Sequence, residues 1–270
     1  MSAAPPHRHD AWTSGDLYEP YVGRWSRLVA KEFLKWLAVP AGKDWLDVGC
    51  GTGALTQTIL EHAGPKSVRG VDLSPGFIEY AKAHVADPRA SFQVAGAESL
   101  PLDAASVDAA VSALVLNFVP RPLVAVSEMA RVLRPGAIAA AYVWDYADKM
   151  ELIRYFFDSA IALDPAVREL DVGPRFPLCR PEPLAVLFAE AGLRDVEARP
   201  IDVPTVFRDF DDYWSPFLGG QGPAPGYAMS LDETRRAALR DRIRSKLPIT
   251  KDGSIHLIAR AWAVRGRKAV

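Results

Sequence analysis

Leu46-Asp47-Val48-Gly49-Cys50-Gly51-Thr52-Gly53-Ala54 decides the fold of this 270-residue chain. Trp45 to Val48 reads as a short buried strand and Thr52 onward as a helix start. The glycines between them let the backbone turn sharply and approach a ligand closely. Free N–H groups at such a helix start point back over the turn, where small or partly negative ligand groups sit. About twenty residues on, Ser67-Val68-Arg69-Gly70-Val71-Asp72 reads as a second strand ending in a carboxylate, which can accept both hydroxyl hydrogens of a ribose. Strand, glycine turn and acid together describe a site for a ribose-bearing cofactor.

Two cofactor classes fit that pattern. Gly49, Gly51 and Ala54 satisfy G-x-G-x-x-A, so a nicotinamide dinucleotide, and with it an NAD(P)-dependent oxidoreductase, matches the spacing. Asp47 stands against it, because a pyrophosphate gains nothing from another negative charge two residues before the first glycine. S-adenosylmethionine carries no phosphate; it presents an ammonium and a sulfonium, for which an acid beside the turn is favourable.

Residues Leu46 to Ala54 resemble the first motif of class I S-adenosylmethionine-dependent methyltransferases, and four further segments of that family's pattern follow in order. Gly70-Val71-Asp72-Leu73-Ser74 is similar to the ribose-binding segment, which implies Asp72 on the two hydroxyls and Leu73 on the adenine face. Ala95-Gly96-Ala97-Glu98-Ser99-Leu100-Pro101 resembles the adenine-end segment G-D-A-E-x-L-P, with Gly96 where the family often has Asp. That departure moves the expected adenine contact to the Ala97 backbone, Glu98 or water. Ser106 to Pro120 resembles the fourth strand and the loop after it, which implies Val115 beside the cofactor and Asn117 and Phe118 facing both the methionine end and the acceptor. Asn117-Phe118-Val119-Pro120 departs from the Asn/Asp-Pro-Pro-aromatic tetrad of enzymes that methylate DNA bases and protein amides. The small-molecule branch, which includes quinone and natural-product methyltransferases, is the better match. Met129 to Gly136 completes the resemblance as a helix and Pro-Gly turn before the fifth strand.

The resemblance thus implies S-adenosylmethionine as cofactor, with Asp47, Gly49, Cys50 and Gly51 at its methionine end, and a doubly wound, seven-stranded, mostly parallel α/β sheet. Cys50 itself reads as a small filler of the turn. Strands five to seven are expected over 137–144, 196–203 and 254–264, the last antiparallel between its neighbours. Proline in Ser74-Pro75, Arg121-Pro122 and Arg180-Pro181 marks three helix starts.

Composition agrees. A hydrophobic content of 49% over this length is enough for one large α/β domain and a modest cap. The net charge of −1 gives no reason to expect nucleic acid or an anionic membrane as the partner. Two cysteines, Cys50 and Cys179, point to a reducing compartment. With no apolar leader in the polar first sixteen residues, the expectation is a cytoplasmic protein without membrane insertion. Nothing in the composition bears on oligomeric state, and no metal site is expected.

The expected organisation is a loose tail over 1–16, an N-terminal helical cap over 17–42, the methyltransferase core over 43–204, an insertion over 205–253 and a last strand with tail over 254–270. In the insertion, Phe207 to Phe217 is aromatic and acidic, and Tyr213 and Trp214 are expected either to touch substrate or to pack the cap on the sheet. Gly219 to Gly226 reads as a moving lid. Ser230-Leu231-Asp232-Glu233 reads as a capping box, opening a helix with Leu239, Ile243 and Leu247 on one stripe. In the N-terminal segment, which holds Tyr18 and Tyr21, Arg24 is expected either to pair with the cofactor's carboxylate, as in similar methyltransferases, or to form a surface ion pair with Glu19 or Asp16.

The reaction implied is an in-line displacement in which O, N, S or C of a small, partly apolar acceptor attacks the sulfonium methyl. Positioning supplies much of the catalysis, since the donor is already activated. No histidine falls at a motif position, so no general base is assigned. Asn117, Trp144 and Asp145 are expected at strand ends on the ligand side, where lining the acceptor pocket competes with loop bonding and core packing. A third reading is a protein that keeps the fold only to bind a cofactor.

Overall fold

The computed structural model describes residues 24–219 and 222–270. The expected tail, Tyr18, Tyr21, both proposed acidic partners of Arg24 and the centre of the proposed lid at Gly220-Gln221 lie outside the described residues.

Seven strands form one sheet: β1 Asp44–Val48, β2 Ser67–Asp72, β3 Ala90–Val94, β4 Val107–Ala113, β5 Leu133–Trp144, β6 Arg194–Phe207 and β7 Ile255–Arg267, in the order β3-β2-β1-β4-β5-β7-β6. Pairings from β3 through to β5 are parallel, and β7 runs antiparallel to β5, with Ile138 opposite Arg267 and Trp144 opposite Ala261. The last strand therefore lies between the fifth and sixth, as the family resemblance implied. β6 carries Pro200 and Pro204 and stands at the sheet's edge, where a missing N–H leaves no ladder bond unmade.

The strand order reverses between β1 and β4, and both strands are short apolar runs buried on both faces. Side chains alternate across the sheet. On one face Leu46 and Val48 join Ala139, Ala141 and Val143 beneath helices α4 Pro122–Val132 and α6 Pro181–Glu190, whose Met129, Val126, Leu184 and Phe188 complete a buried cluster. The opposite face takes α1 Arg24–Leu37, α2 Ala54–His62 and α3 Pro75–His84. There Phe33 of α1 meets Tyr142 of β5 edge-on, with ring centroids 4.9 Å apart. The body of the N-terminal helix is thus packed on the sheet.

Three strands differ in extent from expectation. β5 begins at Leu133, so Pro135-Gly136 lies inside the strand as an irregularity; the register to β4 shifts between Val107 and Ala109, and Gly136 takes φ 75°. β6 and β7 run to Phe207 and Arg267, beyond the expected 203 and 264.

The chain divides into two compact units, one of Ser26–Trp144, Leu178–Ile201 and Ala261–Val270, the other of Asp145–Pro177 and Asp202–Arg260 with Arg24 and Trp25. Asp145–Pro177, expected within the core, therefore belongs to the second unit, as does the start of β7. That unit has its own interior around α5 Glu151–Leu163, where Phe156 stacks on Phe217 at 4.7 Å and Tyr213 is fully buried. Arg154 reaches Asp171 at 2.7 and 2.9 Å, a buried bidentate pair that also ties Gly173 N–H.

The proposed lid also differs. Gly222 precedes a helix, α7 Pro223–Ser230, whose proline sits in the first turn. Ser230 closes α7, its hydroxyl bonded to the Tyr227 carbonyl, and Asp232 caps α8 Glu233–Lys246 by accepting from Arg235 N–H at 2.8 Å. The capping box is therefore replaced by a single Asp cap, while Leu239, Ile243 and Leu247 are buried as the stripe required. Asp232→Ala is expected to lower unfolding stability by about 1 kcal/mol and Ser230→Ala to change it little, as read from denaturant midpoints.

Candidate active site

The carboxyl ends of β1, β2 and β4 converge on the glycine turn. Gly49 and Cys50 donate to the Val71 carbonyl at 2.7 and 2.9 Å, which fastens the turn to β2. Gly49, Gly51 and Gly53 all take positive φ, at 72°, 51° and 87°. At Gly49 the requirement is also steric: a Cβ there would lie 2.5 Å from Val115 Cγ2. Val115 thus presses the loop after β4 against the turn. Leu114, just before it, holds a left-handed φ of 63°, uncommon for a side-chain-bearing residue and a local strain at this junction.

Asp72 closes the same turn. Its Oδ2 accepts from Gly51 N–H at 3.0 Å and its Oδ1 from Ser74 N–H at 2.8 Å, leaving further lone pairs on both oxygens. Burial pushes its carboxyl above the usual range, against these backbone bonds. Leu73 beside it is 76% exposed, an apolar side chain without cover next to a cofactor-type acid. Gly96 lies across from it; a Cβ there would sit 3.8 Å from Leu73 Cδ1. Ala97 is half-buried against the core.

Asp47 is fully buried beneath the turn. Thr56, in the first turn of α2, donates to its Oδ2 at 2.7 Å, and its Oδ1 is buried with no partner among the described residues. Burial, with a smaller push from the negative charge of Asp72, raises its carboxyl to about 7. Cys50 is also buried; its Sγ packs against Gly70, where a Cβ would come within 2.9 Å, so this side chain fills the turn as expected. Burial raises its thiol far above the usual range, which removes thiolate chemistry there.

Glu98 is engaged by Arg121. It accepts from Arg121 N–H at 2.9 Å and Arg121 Nε–H at 2.7 Å, joining the adenine-end loop to the start of α4. A second clamp was not apparent in the sequence. Glu128 accepts from Leu100 N–H at 2.9 Å, and Arg131, paired to Glu128, donates to the carbonyls of Leu100 and Leu102. The three-residue spacing of Glu128 and Arg131 on one helix was visible, but not what their free ends would hold.

Of the residues expected near an acceptor, Asn117 lies on the short helical turn Leu116–Phe118 after β4, its Nδ2 donating to Cys179 Sγ at 3.4 Å. Trp144 is 1% exposed at the end of β5. In the second unit Tyr213 donates its hydroxyl to the Leu152 carbonyl at 2.9 Å, and Trp214 stacks near Phe210 and Phe217. Both side chains are interior, in line with the packing alternative. Asp145 accepts from Asp148 N–H at 3.0 Å and serves its own loop. Arg24 pairs with Asp212 at 3.1 Å, neither of the two acids named from the sequence, and lies over the rings of Trp25 and Phe207 at 4.3 and 4.7 Å.

Two outcomes test this geometry. Gly49→Ala is expected to destabilise the fold by at least 1 kcal/mol through its φ and the Val115 contact, and adding Val115→Ala should restore part of the loss in thermal melts. Because the folded-state carboxyl of Asp47 is raised, it favours the fold below the ordinary pKa near 4, and that contribution is lost as pH rises toward 7. Asp72 and Asp145, also raised, act with the same sign. Asp47→Asn should therefore gain stability over the parent protein progressively from pH 5 to pH 8.

Residues 46–141 match the model of a family described as a methyltransferase domain. Malonyl-[acyl-carrier protein] O-methyltransferase of Hahella chejuensis is 42% identical over 94 residues, 35% of this chain and 34% of that protein. An uncharacterized methyltransferase of Mycobacterium tuberculosis is 37% identical over 118 residues, 44% of this chain and 46% of that protein. The chain thus spans between a third and a half of the length of these two. Demethylmenaquinone methyltransferase of Staphylococcus aureus is 30% identical over 181 residues, 63% of this chain and 75% of that protein. Among solved structures, a putative methyltransferase from an antibiotic biosynthesis pathway of Anabaena variabilis superposes with a TM-score of 0.62 at 21% identity, covering 87% of this chain and 96% of that one. Phosphoethanolamine N-methyltransferase 2 of Haemonchus contortus, solved with S-adenosylhomocysteine, gives 0.57 at 17%, covering 89% and 52%. With the strand order, the glycine turn and the acid at the end of β2, these likenesses place the chain in the class I S-adenosylmethionine-dependent methyltransferase family.

Proposed function

We propose that the chain binds S-adenosylmethionine across the glycine turn and transfers its methyl group to a small, partly apolar acceptor. The observation that carries this reading is the pairing of Asp72 with Leu73: a carboxylate fastened to Gly51 N–H, beside an exposed apolar side chain. The acid suits two ribose hydroxyls and Leu73 suits the face of an adenine. Ala97 and the backbone around it take the adenine edge, because Glu98 is committed to Arg121.

Electrostatics favour this cofactor over a dinucleotide. Asp47 and Asp72 repel one another beneath and beside one turn, and Asp47 has a buried oxygen without a partner among the described residues. A ligand carrying an ammonium and a sulfonium relieves that repulsion; a pyrophosphate adds to it. S-adenosylmethionine when bound supplies a methyl already activated on sulfur. The chain's part is to hold it: Gly49, Cys50 and Gly51 through the backbone, Val115 by closing the turn, Asp72 at the ribose. Held in this way, the bound cofactor would offer its methyl carbon to an acceptor atom in line with the carbon–sulfur bond, with a neutral thioether as the leaving group.

The curated relatives support the small-molecule branch, one named for a malonyl group on a carrier protein, the other for demethylmenaquinone. No helix of the described residues is long and apolar enough to cross a membrane. Cys50 and Cys179 are both buried and neither is in a disulfide, in keeping with a reducing compartment such as the cytoplasm.

Calorimetry with S-adenosylhomocysteine and with NADH tests the reading. The first is expected to bind and the second not; the reverse result overturns it. Asp72→Ala should weaken S-adenosylhomocysteine binding by about 1–3 kcal/mol through lost charged hydrogen bonds. Affinity should also rise from pH 6 to pH 8 as Asp47 ionises, and Asp47→Asn should flatten that dependence.

A further inference from the structure

The second unit holds a cavity of about 360 Å³ between the end of α5, α7 and the first turns of α8. Leu239 at its floor is 1% exposed, and Leu231 and Leu163 line its walls, Leu163 at 47% exposure. Its volume falls in the range of small-molecule sites, about 300–1,000 Å³. The walls are fixed to one another. Tyr227 of α7 meets Phe156 of α5 edge-on with ring centroids 6.3 Å apart, and Arg236 of α8 donates to the carbonyls of Ala228 and Leu231 at 3.1 and 2.6 Å.

Three polar side chains converge on this apolar hollow. Asp164 stands just past α5, whose carbonyl end adds to its negative charge. Its Oδ1 accepts from Ala166 N–H at 3.0 Å, and its Oδ2 has no partner among the described residues. On the α8 side Arg235 Nε lies 3.6 Å from Asp232, too far for a hydrogen bond, so its guanidinium fork is available to a carboxylate. Tyr227 feels both charges: burial and Asp164 raise its hydroxyl above the usual range, Arg235 opposes them, and the group stays protonated and able to donate. Asp164 and Arg235 form no ion pair with each other. A hydrocarbon would leave both charges unanswered, and a plain cation or anion would answer one.

We propose that this cavity binds an α-amino acid with an apolar side chain, its ammonium on Asp164, its carboxylate on Arg235 and the Tyr227 hydroxyl, and its side chain against Leu163, Leu231 and Leu239. All six residues belong to the second unit, so the inference stands independently of the cofactor reading. An amine or an acid of the same bulk makes only one of the two charged contacts and binds more weakly.

The test uses the full chain saturated with S-adenosylhomocysteine, which fills the amino-acid end of the cofactor site, titrated with L-phenylalanine, 3-phenylpropanoate and phenethylamine by ligand-observed NMR. The amino acid is expected to bind about tenfold tighter than either analogue, one lacking its ammonium and the other its carboxylate. Asp164→Asn can still accept from Ala166 N–H and should erase the advantage over 3-phenylpropanoate; Arg235→Gln should erase the advantage over phenethylamine. Ala238→Trp, on the cavity wall, should abolish binding of all three, and thermal melts report whether each variant folds. No binding of L-phenylalanine at millimolar concentration, an analogue that matches it in the parent protein, or preferences that survive Asp164→Asn and Arg235→Gln overturn the proposal. Binding seen only without S-adenosylhomocysteine puts the amino acid in the cofactor's own site, and the proposal fails. If S-adenosylhomocysteine itself does not bind, the methyltransferase reading is lost, and the same titrations of the free chain still decide this one.

Discussion

Val115 fills the space that a side chain on Gly49 would need, and much of the candidate site's geometry follows from that contact. It brings the loop after β4 onto the turn after β1, at the point where the sheet order reverses and no crossover covers the strand ends. The contact demands glycine at 49 twice over, by φ and by volume. The chain leaves β4 through a left-handed Leu114, and Asn117 lies within a segment fastened at both sides. The bonds from Gly49 and Cys50 to Val71, and from Gly51 to Asp72, bind the turn to β2. Three strand ends are thereby locked into one rim.

That rim carries an electrostatic tension. Burial raises the cost of ionising both Asp47 and Asp72, and the charge of Asp72 adds to it at Asp47. Thr56 satisfies one oxygen of Asp47 and leaves the other unmatched. Such an arrangement costs stability in the free protein and favours a cationic ligand. The conflict between folding and binding at one pair of carboxylates is the kind of local inconsistency expected at a functional site.

Clamps remote from the turn shape the loop after β3. α4 holds the loop 95–102 at three places, through Arg121, Glu128 and Arg131, so the half-buried backbone at Ala97 is positioned by a helix rather than by its own loop. The second unit is organised differently. Its aromatic residues face inward on α5 and on one another, and its buried ion pair, Arg154 with Asp171, serves its own packing. Arg24, at the first residue of α1, pairs through Nη1 with Asp212, while its Nε and Nη2 are buried without a partner among the described residues.

The glycine turn, the acid ending β2, the proline-marked helix starts and the order of motifs were legible in the sequence, because each reflects a local backbone demand or a short periodicity that residue type alone reveals. The position of the last strand came with the family resemblance. What the long side chains do was not legible. Glu98, Tyr213 and Trp214 have the chemistry of ligand contacts, yet Glu98 is taken by Arg121, Tyr213 by a carbonyl of α5 and Trp214 by its aromatic neighbours. The membership of Asp145–Pro177 in the second unit was hidden too, since its helical periodicity says which face is buried and not against what. By itself the sequence determined the fold class and the kind of cofactor site, through steric and periodic rules that act over a few residues. Only the tertiary structure decided which polar groups are spent on holding the protein together and which, like Asp47 Oδ1 and Asn117 Oδ1, are buried without a partner among the described residues, because hydrogen-bond partners are chosen by distance in space and not along the chain.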